Sequence, residues 1–172
     1  FRGLYRSLDS GITFTEMSDS PNIMDWSCDG SGTGGQAWYD LALVADPLNA
    51  NIIYAGGVNV WKSVNGGASW NISGHWYGGC NVEEVHADQH IFTVNPVDNK
   101  IYIGNDGGIY WTANGGALWN EITTGLVITQ SYKIGQSATL EDMLVSGHQD
   151  NGTYQLNGDT WAAIGGGDGM EC

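Results

Sequence analysis

Basic residues are scarce in this chain. Arg2, Arg6, Lys62, Lys100 and Lys133 are the five present, against 19 acidic residues, and the formal net charge is −14 over 172 residues. Such a surface repels phosphate backbones, so no nucleic-acid partner is expected. The acidity serves solubility or, through loop carboxylates, calcium binding. No run of about 18 apolar residues occurs, so no membrane span is expected. A phosphate-binding glycine loop, a nucleophile elbow and a Cys-x-x-Cys pair are all missing. Cysteine is sparse too: Cys28, Cys80 and Cys172 are an odd number, which leaves one thiol unpaired or paired elsewhere.

What is abundant points to strands and turns. Twenty-seven glycines, eight Trp and eight Tyr in a chain that is 41% apolar, with few stretches of helical periodicity, fit an all-β globular chain. The stretch Ser63-Val64-Asn65-Gly66-Gly67-Ala68-Ser69-Trp70 reads as a hairpin turn. Asn65 can bond its own backbone, Gly66 and Gly67 can take positive φ, and Trp70 can fold back as an apolar plug. The pattern recurs: Ser7-Leu8-Asp9-Ser10-Gly11-Ile12-Thr13-Phe14 precedes it by 56 positions, and Thr112-Ala113-Asn114-Gly115-Gly116-Ala117-Leu118-Trp119 follows by 49. A period near 50 residues with four short strands in each repeat is the mark of β-propeller blades. Asp9, Gly11, Asn65, Gly67, Trp70, Asn114, Gly116 and Trp119 are then structural turn residues on the rim. Trp161, after a shortened version of the turn, is expected as a third plug.

The chain divides accordingly. Residues 1–17 read as the end of an incomplete blade, 18–79 as a long loop and a complete blade, 80–124 as a second complete blade, 125–164 as a looser one, and 165–172 as the start of the next. Within them, 38–45 and 90–94 read as innermost strands. About three and a third four-stranded antiparallel blades do not close a ring, so the segment is expected to belong to a larger propeller whose remaining blades are its first partners. Cys28 and Cys80 lie in loops ahead of consecutive repeats and can meet in a disulfide; two free buried thiols are the alternative.

The segments Trp38-Tyr39-Asp40-Leu41, Asp46-Pro47 and residues 53–63 resemble the Asp-box (BNR-type) propellers of the sortilin and xyloglucanase group. Val85-His86-Ala87-Asp88-Gln89-His90, Gly104-Asn105-Asp106-Gly107-Gly108, Gln149-Asp150-Asn151-Gly152 and Gly166-Gly167-Asp168-Gly169 resemble more particularly the large secreted bacterial propellers that end in a surface-sorting domain. The resemblance implies a secreted or cell-surface bacterial protein that binds carbohydrate or another extracellular protein, with xyloglucanase-like glycoside hydrolysis as the alternative. Enzymatic activity is left open, with binding preferred. A propeller hosts many functions, so the fold does not choose among them. Sialidases of related build hold their substrate carboxylate with three arginines, and Arg2 and Arg6 do not make up that set.

Three constellations are candidates for chemistry. His86, Asp88 and His90 alternate, and in an extended strand they would share one face, as a divalent metal such as zinc or calcium requires; a hydrogen-bonded polar row is the alternative. Asp40, Asp106, Asp150 and Asp168 lie near inner strands. The xyloglucanase resemblance makes Asp40 a catalytic carboxylate with Asp150 as a possible second, against plain hydrogen bonding. Trp26, Trp38, Trp76 and Tyr77 lie in or beside long loops, where they can stack on sugar rings or simply pack. A metal-dependent surface enzyme is the further alternative.

Overall fold

A computed structural model of the chain describes residues 1–126 and 128–170. Cys172 therefore lies outside the described residues. The described chain is all-β, and it forms two compact units, Phe1–Thr124 and Gly125–Cys172.

The first unit begins with the hairpin β1 (Leu4–Arg6) and β2 (Thr15–Ser18). Its next sheet runs β3 (Ala42–Ala45), β4 (Ile53–Gly56), β5 (Val60–Ser63) and β6 (Asn71–His75) in antiparallel order, and β7 (Glu83–Glu84) adds a fifth strand parallel to β6. The third sheet is β8 (Gln89–Val94), β9 (Ile101–Asn105), β10 (Gly108–Thr112) and β11 (Asn120–Glu121), again an antiparallel meander.

Alternation along β4 explains how these sheets stack. Ile53 and Ala55 join Ile23, Met24, Trp61 and Trp70 in one apolar cluster, whereas Tyr54 points the other way into a cluster with Ala42, Val60, Phe92, Ile103 and Trp119. A strand covered on both faces loses its polar side, and all four residues of β4 are buried.

The three recurring turns share one hydrogen-bond scheme. In each, the Ser or Thr hydroxyl donates to the Asp or Asn two positions on (2.8 Å from Ser7, 2.9 Å from Ser63, 3.0 Å from Thr112) and accepts the backbone N–H four positions on (2.7, 2.8 and 2.9 Å). The Asp or Asn then accepts the N–H of Thr13, Ser69 or Leu118. Two of the turns dock on the preceding sheet in the same way. Trp70 Nε1 donates to Ser18 Oγ at 3.0 Å and Trp119 Nε1 to the Ser73 carbonyl at 3.1 Å. Glycine is required at this joint: a Cβ on Gly67 would lie 1.9 Å from Leu4, and one on Gly116 2.4 Å from Ser73 Oγ.

The second unit is one antiparallel sheet of β12 (Ser131–Gln136), β13 (Met143–His148), β14 (Gly152–Asn157) and β15 (Thr160–Gly165). Here the expected plug fails: Trp161 is half exposed on a strand exposed along its whole length. The shortened turn before it has no Ser or Thr where the other three place their hydroxyl.

Candidate functional site

Strand topology puts the recurring turns and the candidate residues at opposite ends of the sheets. The turns join β5 to β6 and β10 to β11, while the start of β3, the start of β8 and the β9–β10 connection share the other end. Residues 38–40 do not extend β3 as the sequence suggests. The N–H groups of Tyr39 (2.7 Å) and Asp40 (3.1 Å) both bond the Gln36 carbonyl, which closes a turn and lifts Trp38 out of the sheet. Trp38 is 86% exposed, with its ring tilted against Tyr39 at 5.9 Å between centroids.

Beneath that turn lies a network of carboxylates. Gln36 Nε2 donates to Asp88 Oδ1 at 2.6 Å and to Asp40 Oδ2 at 3.3 Å, so these two carboxylate oxygens lie no more than about 6 Å apart. Asp40 is fully buried and its Oδ1 makes no hydrogen bond. Burial pushes its pKa up to about 6; the Gln36 bond opposes the rise and the Asp88 charge adds to it. Alongside, Asp106 accepts from the Tyr39 hydroxyl at 2.8 Å and pairs with His90 Nε2 at 2.5 Å, and Tyr39 meets the His90 ring edge-on at 5.0 Å. A groove of about 680 Å³ beside Trp38 is lined by Phe1, Leu4, Met24, Leu41 and Leu43.

The His86, Asp88, His90 triplet does not assemble. Asp88 has φ +67°, a left-handed backbone that breaks the strand periodicity on which a shared face depends. Its carboxylate turns to Gln36, His90 turns to Asp106, and His86 Nδ1 lies 3.3 Å from the carbonyl of Ala87. Among the described residues, the metal-ligand atoms of Cys28, His75 and Cys80 are the ones that gather in a group of three, within 4.8 Å. Cys28 and Cys80 are joined in a disulfide with Cα atoms 5.7 Å apart, so their sulfurs are not thiolates.

Trp26 and Tyr77 are exposed and Trp76 partly so, and the Trp76 and Tyr77 rings meet edge-on at 4.5 Å, with Tyr77 also against His75. Asp150 belongs to the second unit, where its N–H bonds Asp168 Oδ1 at 2.9 Å; Asp40 belongs to the first. Gln36 carries no motif that singles it out in the sequence, and Tyr39, though inside the Trp38-Tyr39-Asp40-Leu41 segment, is not among the site residues expected from the sequence. A Gln four positions before an Asp is the one local signal for the Gln36–Asp40 contact.

No family model and no curated protein matches the chain. Solved structures do. The GH74 enzyme of Niastella koreensis is 22% identical with a TM-score of 0.50, over 95% of this chain and 26% of its own. The GH74 xyloglucanase from Xanthomonas campestris is 16% identical with a TM-score of 0.49, over 95% and 27%. YCF48 from Cyanidioschyzon merolae is 14% identical with a TM-score of 0.40, over 73% and 39%. The chain thus spans about a quarter of the length of the two GH74 structures. The Niastella likeness and the antiparallel four-stranded sheets give the same answer about architecture: the chain has the fold of a stretch of β-propeller blades.

Proposed function

We propose that this chain is part of an extracellular propeller that binds carbohydrate at the end of its sheets where residues 36–40, 88–90 and 106 meet. The observation that carries this reading is Trp38, a large aromatic ring 86% exposed, with the hydrogen-bonding groups of Tyr39, His90 and Asp106 beside it. A sugar ring offers an apolar face to stack and hydroxyls to bond, and this surface supplies both complements. The resemblance of residues 38–41 and 53–63 to xyloglucanase-type propellers sets β-linked glucan oligosaccharides as the first ligands to try. The repeated turns support membership of the Asp-box propellers, and the Cys28–Cys80 disulfide supports an oxidising, extracytoplasmic location.

Glycoside hydrolysis is the second reading, favoured by Asp40 and Asp88. Two carboxyls bridged by the Gln36 amide, with the bridged oxygens no more than about 6 Å apart and one pKa raised by burial, have the unequal acidity that an acid and a nucleophile need. Complete burial weighs against it, since no substrate atom can touch Asp40. Calorimetric titration of glucan oligosaccharides, run with release of reducing ends on the same samples, separates the readings. Saturable binding without hydrolysis, lost in Trp38→Ala, supports binding. Hydrolysis lost in Asp88→Asn moves the assignment to the enzyme. No binding to any glycan overturns both.

A further inference from the structure

A second site lies in the loop ahead of β3. Its sequence is Asp25-Trp26-Ser27-Cys28-Asp29-Gly30-Ser31-Gly32, with oxygen-bearing side chains at positions 1, 3 and 5 and glycine at 6. That is the order in which calcium loops supply their first ligands and make their sharp turn. The backbone honours it: Gly30 has φ +63°, and a Cβ there would lie 2.8 Å from Pro21. The three side chains converge. Ser27 Oγ donates to Asp25 Oδ2 and lies 3.3 Å from Asp29 Oδ1.

The independent observation is the other oxygen of Asp25. The residue is 1% exposed, and Oδ1 has no hydrogen-bond partner. It faces the loop, since a Cβ on Gly32 would lie 2.6 Å from it. A buried carboxylate oxygen without a donor is unfavourable, and a coordinated cation is the partner that would compensate it. We infer that this loop binds calcium through Asp25, Ser27 and Asp29, with backbone carbonyls and water filling the remaining positions. The donors are all oxygens, which suits a hard cation rather than zinc. Cys28 is held in its disulfide and takes no part. Two carboxylates and a hydroxyl make a weak site, of the about 10⁻⁴ to 10⁻³ M class found in extracellular modules. Trp26 stands at position 2, and a Cβ on Gly34 would lie 2.3 Å from its ring, so the cation would fix this exposed indole against the rest of the loop.

The test is a calcium titration of the full chain by calorimetry, with emission from terbium excited through Trp26 as the second readout. One saturating event near 10⁻³ M or below is expected, roughly 10-fold weaker in Asp29→Asn, whose carboxylate is exposed and whose loss leaves the core untouched. Ser27→Ala should weaken it in the same direction. The inference is overturned if no saturable binding appears below about 10 mM, or if both variants bind calcium as tightly as the parent chain. Neither result depends on whether the protein binds sugar.

Discussion

The two ends of the sheets in Phe1–Thr124 are built on different principles. At one end three turns repeat the same hydrogen bonds, and two of them set a buried tryptophan against the neighbouring sheet. At the other end no connection repeats. Residues 19–41 hold the acidic loop and the turn that exposes Trp38, residues 76–82 carry Trp76, Tyr77 and Cys80, and two residues link β9 to β10. Repetition marks what every blade needs, a joint to the next one. Irregularity is where the chain departs from that need, and the carboxylate network, the exposed aromatics and the calcium loop all fall there.

Four outcomes would break or sharpen this contrast. Trp119→Ala, which empties a packed joint, should lower stability by about 3–5 kcal/mol in urea unfolding, whereas Trp38→Ala should change it by less than about 0.5 kcal/mol. Equal losses would erase the distinction. Replacing Cys28 and Cys80 together by serine should cost about 2–4 kcal/mol by the same measurement, because the bridge spans a separation of 52 residues. Ser63→Ala removes a buried hydroxyl that accepts the Gly67 N–H and should cost about 1–2 kcal/mol; Thr112→Val should match it if the turns are equivalent.

A further effect is one of pH. The folded pKa of Asp40 is raised from 3.8 to about 6, so the fold favours its protonated form. That contribution is fully present below about pH 4 and is lost as pH rises through about 6. Asp40→Asn should therefore gain stability relative to the parent chain as pH is raised from about 4 to 7, read from unfolding midpoints at the two values. A constant difference would mean that Asp40 titrates normally.

Much of the architecture was legible because propeller strands alternate and their turns repeat a recognisable polar signature. The misreadings share a physical origin. The metal triplet assumed extended backbone, and Asp88 at φ +67° is not extended. Residues 38–40 have strand-like composition, yet the Gln36 carbonyl captures their N–H groups. Glu83 and Glu84 form a parallel strand with no apolar pattern to announce it. The link between Gln36 and Asp88 spans 52 residues and exists only once two sheets are stacked. The loops that met in the disulfide could be matched because each occupies the same place in its repeat.

The most direct test uses the tryptophans themselves, since both ends carry them. In a nitrogen-15 correlation spectrum recorded during titration with glucan oligosaccharide, the indole N–H signal of Trp38 should shift in a saturable way while those of Trp70 and Trp119 stay fixed by their bonds to Ser18 and Ser73. Shifts confined to Trp70 and Trp119, or no shift at Trp38 at saturating ligand, would contradict the placement of the binding surface at the irregular end.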